Sequence, residues 1–266
     1  MLTLLLIAIA LLLVATYCRK GHEGLKDLQG WGYAHRGLHG QGVPENSMAA
    51  FKAALDGGYG VELDVHLLKD GNLAVIHDSL LNRTTGQAGC IENLTTQELK
   101  NYPLEGTEET IPEFMDVLTL FNGKAPLIVE LKPVDGNHAA LCQAACDMLA
   151  GYKGVYCVES FDPRCVEWLK KNRPQIIRGQ LTENFFKSKG DLPDYLKFLL
   201  THNLMNCMGR PDFVAYKFAD RKDSFTTELC RKLWGAQGVT WTLRSQEDYD
   251  VAVKEGWLPI FEGFRP

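Results

Sequence analysis

The sequence predicts a (β/α)8 TIM barrel, an α/β fold in which eight parallel strands alternate with helices. Three observations predict it. The 266 residues are enough for one such domain, strand-like and helix-like segments alternate along the chain, and no low-complexity linker divides it. Eight strand-like segments favour a closed barrel over an open sheet.

The strand-like segments are short, apolar or β-branched, and bounded by turn residues. They cover 32–36, 61–67, 126–131, 155–161, 176–181, 213–216, 239–243 and 259–261. Helical patterns cover 47–56, 111–121, 138–149, 163–171, 192–202, 226–234 and 246–255. The stretch 71–110 breaks the alternation with a hairpin-like 69–72 and a short strand at 74–77, which predicts a small insertion after the second strand. We assign 30–266 to one barrel domain.

The N-terminal residues 1–17 carry no charged side chain and consist mainly of Leu, Ile, Val and Ala. A helix of this length is at the short end of what crosses a bilayer of ~30 Å, given a rise of ~1.5 Å per residue. A cleaved signal peptide and a buried core helix are the alternatives. No charged segment precedes the apolar run, and Ala15-Thr16-Tyr17 is a poor cleavage site, so the pattern favours an uncleaved transmembrane anchor within 1–20.

Charge and cysteine content bear on location and partners. Near the apolar segment, positive charge lies only on its C-terminal side, at Arg19, Lys20 and Lys26. The positive-inside rule then predicts a single-pass protein of the cell membrane with its barrel in the cytoplasm. The eight cysteines are interpreted as reduced, because a chain of this size needs no disulfides. A net charge of −5 and a pI near 5.8 disfavour a nucleic-acid partner.

Three acidic side chains are predicted to face the barrel interior. Glu62 and Asp64 occupy positions i and i+2 of an apolar strand, so both point to the same face. A solvated strand face is the alternative, but two acids inside a barrel repel each other unless a cation joins them. Glu130 ends another apolar strand. Carboxylate ligands without His or Cys favour Mg²⁺ or Ca²⁺ over zinc.

Basic side chains also occupy the predicted strand ends. His35 and His77 each lie at the end of an early strand, and two imidazoles can serve as acid and base in the cleavage of a phosphodiester. Arg36 offers a forked donor to a phosphate, and Lys132 offers a positive charge on the same strand face as Glu130. Each of these residues alone would be interpreted as an ordinary surface residue.

Short motifs follow one another in a specific order. They are His35-Arg36-Gly37, Pro44-Glu45-Asn46-Ser47, Glu62-Leu63-Asp64-Val65, Asp70-Gly71, His77-Asp78, Arg83-Thr84-Thr85, Glu130-Leu131-Lys132, Ser160-Phe161-Asp162 and Trp241-Thr242. Each motif is weak alone, but the ordered set resembles the glycerophosphodiester phosphodiesterase family over nearly all of the chain beyond the predicted anchor. Two segments depart from the family pattern, namely Phe261-Glu262-Gly263 at the C-terminus and Tyr216-Lys217-Phe218.

The resemblance implies a role for each matching residue. One divalent cation, Mg²⁺ or Ca²⁺, would be held by Glu62, Asp64 and Glu130, with His35 and His77 as acid and base and with Arg36 and Lys132 on the phosphate. Trp241 matches an aromatic position near the substrate pocket, although a tryptophan of the barrel core explains it nearly as well.

The activity implied by the resemblance is metal-dependent hydrolysis of glycerophosphodiesters to glycerol 3-phosphate and an alcohol. The predicted anchor would hold the barrel near lipid, which leaves open a lysophospholipase D or a phosphatidylinositol-type phospholipase. A catalytically inactive, membrane-tethered binding protein is the alternative from another class. The expected partners are a small phosphodiester or lysophospholipid and, through the N-terminal helix, the membrane.

Overall fold

The computed structural model describes residues 1–188 and 191–266. Within them, nine strands form one sheet: β1 (Tyr33–His35), β2 (Gly60–Leu67), β3 (Leu73–Val75), β4 (Leu127–Leu131), β5 (Tyr156–Ser160), β6 (Arg178–Thr182), β7 (Phe213–Lys217), β8 (Gln237–Leu243) and β9 (Trp257–Phe261). Every pairing is parallel except that of β2 with β3, and β1 pairs with both β2 and β9. The eight parallel strands therefore close into the predicted barrel.

The described residues contain ten α-helices. They are α1 (Leu2–Ala15), α2 (Met48–Asp56), α3 (Asn82–Thr85), α4 (Phe114–Phe121), α5 (His138–Leu149), α6 (Pro163–Asn172), α7 (Asp194–Thr201), α8 (Asn206–Gly209), α9 (Phe225–Lys232) and α10 (Gln246–Lys254). Side-chain caps begin several of these helices. Ser47 accepts a hydrogen bond from the Ala50 N–H, and Asp162 caps α6 directly before Pro163.

Apolar side chains separate into an outer and an inner layer. On β2, Val61, Leu63 and Val65 belong to the outer layer, which packs between the strands and the helices. Successive side chains of a strand point to opposite faces, so Glu62 and Asp64 must point into the barrel. The periodicity of one strand thus places two acids inside the protein, as the sequence predicted.

The predicted insertion is present between β2 and α4. Its hairpin turns at Asp70-Gly71, where Gly71 has a φ of +87° that suits glycine, and β3 then runs antiparallel to β2. A separate apolar cluster, which includes Leu68, Ile76 and Leu81, supports the segment. Because β3 ends at Val75, His77 lies in the loop beyond it and not on the strand.

The N-terminal apolar segment forms α1, a helix of 14 residues. At ~1.5 Å per residue it extends about 21 Å, which is less than the ~30 Å of a bilayer core. Among the described residues, no helix is both long enough and apolar enough to cross a membrane. The predicted transmembrane helix within 1–20 is therefore wrong.

The apolar helix ends where the chain begins to pack against the barrel. Thr16 and Cys18 are fully buried, and Arg19 forms an ion pair with the buried Asp212, which precedes β7. Asp212 also accepts a hydrogen bond of 2.9 Å from the backbone N–H of Arg178. Arg19, a charge that the sequence analysis used to orient a membrane segment, instead holds the N-terminal connection against the barrel.

We expect Arg19→Ala to lower the free energy of unfolding by about 3 kcal/mol, because the buried carboxylate of Asp212 loses its charged partner. Chemical denaturation near pH 7 measures the change. Lys20→Ala is the matched control, since Lys20 is exposed and a change there should stay within about 0.5 kcal/mol. Equal stability of the two variants would contradict a structural role for the ion pair.

Candidate active site

The candidate residues meet at the carboxyl ends of neighbouring strands, where barrel enzymes place their chemistry. In the barrel register, His35 on β1 pairs with Glu62 on β2, and Asp64 on β2 pairs with Glu130 on β4. Residues that are far apart in the chain therefore lie side by side on neighbouring strands. Lys132 follows β4 directly, one residue beyond its end.

Glu62, Asp64 and Glu130 converge inside the barrel. One carboxylate oxygen from each residue lies within 4.8 Å of those of the other two, and all three side chains are buried. Burial, reinforced by the neighbouring acids, raises the pKa of Glu62 well above its usual range and that of Glu130 to about 7. Three buried oxygen ligands could hold one hard divalent cation, whose charge would relieve their repulsion.

Free acceptor atoms also fit a cation. Asn46 has a φ of +52°, and this conformation turns its Nδ2 to donate a 2.8 Å hydrogen bond to Asp64 Oδ2. Among the described residues, Asn46 Oδ1 is buried without a hydrogen-bond partner, and Asp64 Oδ1 accepts no hydrogen bond of good geometry although Lys132 Nζ lies 3.2 Å away. Buried acceptors that lack a well-placed donor are unusual in proteins, and a bound ion would explain them.

Two cationic side chains flank the acids. Lys132 Nζ lies 2.8 Å from Glu130 Oε1 and 3.2 Å from Asp64 Oδ1. Burial lowers the pKa of Lys132, but the two acids outweigh that effect and raise it above the usual value. Arg36 Nε lies 3.6 Å from Asp64 Oδ2, and the Arg36 backbone N–H donates to Glu62 Oε2 at 3.2 Å. Both cations remain charged and can bind a phosphate oxygen.

Glu262 orients His35. Nδ1 of His35 donates a 2.6 Å hydrogen bond to Glu262 Oε2, and its Nε2 lies 3.8 Å from Glu62 Oε2. Burial lowers the pKa of His35, while the hydrogen bond to Glu262 opposes that shift. The sequence analysis noted Glu262 only as a departure from the family pattern. Its position directly after the last strand, which neighbours β1, was the available signal for this contact.

His77 is held by a network of charges. Its Nδ1 lies 2.6 Å from Asp78 Oδ1, and Arg83 forms ion pairs with both Asp78 and Glu45. Arg83 therefore ties the insertion to the loop after β1. Burial lowers the pKa of His77 to about 4, although Asp64 opposes the shift, so the imidazole is neutral at pH 7.

A cavity of about 40 Å³ joins these groups and has an apolar wall. Trp241 and Phe161 stand edge to face in that wall, with ring centroids 5.7 Å apart. Glu159 of β5 also lines the cavity, and the sequence analysis missed it. A wider groove of about 710 Å³ at the amino-terminal ends of β8 and β9 contains none of the candidate residues.

The structure thus places every predicted site residue in one region. These residues are His35, Arg36, Glu62, Asp64, His77, Glu130, Lys132 and Trp241. Their chemical roles stay predictions. Glu159 and Glu262 are among the acids of this region that the sequence analysis did not assign to the site.

Known proteins have sequences similar to this one. A glycerophosphodiester phosphodiesterase of Caldanaerobacter subterraneus is 41% identical over 160 residues, which cover 56% of this chain and 65% of the relative. One from Bacillus altitudinis is 43% identical over 107 residues, or 38% of this chain and 43% of the relative. The chain therefore spans less than two thirds of the length of these two relatives.

Solved structures and a family model complete the comparison. An Oleispira antarctica phosphodiesterase, solved with the product sn-glycerol-3-phosphate, matches with a TM-score of 0.72 and 23% identity, over 89% of this chain and 94% of that one. That likeness shows a shared fold. The model of the glycerophosphoryl diester phosphodiesterase family matches residues 35–261, which is most of the chain. The chain therefore belongs to the glycerophosphoryl diester phosphodiesterase family.

Proposed function

We propose that this protein hydrolyses glycerophosphodiesters to glycerol 3-phosphate and an alcohol, and that residues 30–266 form its catalytic domain. One observation carries the proposal, namely that acids, cations and two imidazoles converge on a single buried cavity in a chain of this family. The family match and the group of three acids do not favour the lipid-cleaving and binding-protein alternatives, and we do not propose them.

Glu62, Asp64 and Glu130 would hold one divalent cation of the Mg²⁺ or Ca²⁺ type. When bound, such a cation polarises a phosphoryl oxygen and draws charge from the phosphorus. Arg36 and Lys132 lie beside the same acids and would bind the non-bridging oxygens of the phosphodiester. Donors fixed in advance around developing negative charge are among the largest contributions to catalysis.

His35 and His77 would supply the proton transfers. One imidazole, neutral with its proton on Nδ1, would remove a proton from the attacking water through Nε2, and the other, protonated on both nitrogens, would give its Nε2 proton to the leaving alcohol oxygen. Their partners fix the tautomers, because Glu262 holds Nδ1 of His35 and Asp78 holds Nδ1 of His77. In each ring, Nε2 is then the nitrogen available to the substrate. Trp241 would pack against the apolar part of the substrate.

The direct test measures glycerol 3-phosphate released by the full chain from a panel of glycerophosphodiesters. We expect hydrolysis to stop with a chelator and to resume when Mg²⁺ or Ca²⁺ is added. Hydrolysis that a chelator leaves intact would refute the role of a cation. If no diester is hydrolysed with either ion present, the proposed function is refuted.

Loss of either imidazole should abolish most of the activity. We expect His35→Ala and His77→Ala each to lower kcat/KM at least about 100-fold, since general acid–base catalysis contributes that much or more. His138→Ala is the control, because His138 begins α5 outside the cavity. Thermal unfolding checks that the variants are folded. A histidine variant with the activity of the His138 control would remove that residue from the mechanism.

Stability should depend on pH and on the cation together. The raised pKa values of Glu62 and Glu130 mean that the folded protein holds protons that the unfolded chain releases, so cation-free stability falls as pH rises from about 5 to 7. A divalent cation replaces those protons, and the increase in Tm that it causes should grow between about pH 5 and pH 8.

Scanning calorimetry at several pH values, with and without millimolar Mg²⁺ or Ca²⁺, measures this dependence. Glu130→Gln serves as the comparison, because it removes one of the titrating acids and should flatten the pH dependence of the cation-free protein. A cation effect on Tm that is the same at pH 5 and at pH 8 would contradict the assignment of these carboxylates to the ion.

A further inference from the structure

Glu159 is a buried acid that the proposed mechanism does not use. Its side chain lies on β5, is 1% exposed, and lines the cavity together with Glu62 and Glu130. Glu159 Oε2 is buried and has no hydrogen-bond partner in the described part of the chain. A carboxylate in this state is strongly unfavourable unless something in the cavity donates to it or neutralises it.

The alternation of β5 places Glu159 inside the barrel. Cys157 belongs to the apolar cluster inside the barrel, and Val158 belongs to the one between the strands and the helices. The next side chain, that of Glu159, therefore points inward again. In the register of the sheet, Glu159 pairs with Glu130 on β4. Two acids therefore stand level with each other on adjacent strands and face the same cavity.

Two neighbouring polar side chains direct their hydrogen bonds elsewhere. The hydroxyl of Ser160 donates to the backbone oxygen of Leu131 at 2.8 Å. Nε2 of Gln180 donates to the backbone oxygens of Ser160, Phe161 and Leu181, each at 3.1 Å. Neither side chain donates to Glu159, so its carboxylate is available to a ligand in the cavity.

The charges around the cavity indicate which kind of ligand. In the described part of the chain, the four inward carboxylates of Glu62, Asp64, Glu130 and Glu159 lie beside two cationic side chains, Arg36 and Lys132. Arg36 is also shared with Glu45, so acids outnumber cations here. A divalent cation would offset part of this excess of acids.

We propose that Glu159 is a positioning residue of the cation site, and that its carboxylate accepts a hydrogen bond from a water of the cation's hydration shell. This inference rests on the proposed function. Glu159 lies outside the group of three residues whose oxygens converge within 4.8 Å, so contact through water is favoured over direct ligation. Three carboxylates leave a hard ion with further positions that water fills.

The test is calorimetric titration of Mg²⁺ and of Ca²⁺ into the full chain and its variants. We expect Glu159→Ala to raise the Kd of the ion about 10- to 100-fold, as the loss of outer-shell partners of metal ligands does. Glu159→Gln keeps an acceptor oxygen but loses the charge, so its effect should be smaller. Ser160→Ala is the matched control, a buried neighbour on the same strand that bonds away from the cavity.

Cation-free thermal unfolding checks the fold of each variant, and the nearly isosteric Glu159→Gln carries the test if Glu159→Ala does not fold. A Kd for Glu159→Ala equal to that of Ser160→Ala would overturn the proposal.

The proposal and the proposed function can fail separately. If the wild type hydrolyses diesters while Glu159→Ala binds the cation normally, the role of Glu159 is wrong and the function stands. If Glu159→Ala weakens cation binding but the wild type hydrolyses no diester, the role of Glu159 stands and the function is wrong.

Discussion

The burial of several acids inside a closed barrel is the constraint on which the rest of the site depends. The outward packing of Val61, Leu63 and Val65 stabilises β2 and at the same time forces Glu62 and Asp64 inward. Burying like charges together is costly, so cationic side chains and hydrogen-bond donors must lie close to them. The positive charges of Lys132 and Arg36 and the side-chain N–H of Asn46 offset this repulsion.

The loop after β1 and the insertion after β2 are joined for the same reason. Arg83 comes from the insertion and pairs with Glu45 of the β1 loop and with Asp78, the partner of His77. The imidazole of His77, which lies in the loop after β3, would otherwise lack a fixed position relative to the barrel. The network is partly exposed, so it fixes the positions of these side chains more than it stabilises the fold.

Periodicity and strand ends were sufficient to predict the barrel and most of the site from the sequence. Strand periodicity places Glu62 and Asp64 on one face, and the strand ends place His35 and Lys132 near them. Glu262 was missed because it was considered only as a departure from the family pattern, although a closed barrel brings the residue after its last strand next to β1. The N-terminal error has a different origin, since the uncharged run continues to Tyr17 whereas the helix ends at Ala15 and the chain beyond it packs against the barrel.

The acidic interior also couples the stability of the fold to its ligand. Without a cation, Glu62, Glu130 and Glu159 are all held at raised pKa values by burial, so the folded state favours their protonated forms. A divalent cation would bind such a group of acids more strongly, because it would remove repulsion that the fold already contains. The buried acids would then lower the stability of the cation-free protein and favour cation binding, as is common where function and folding depend on the same residues.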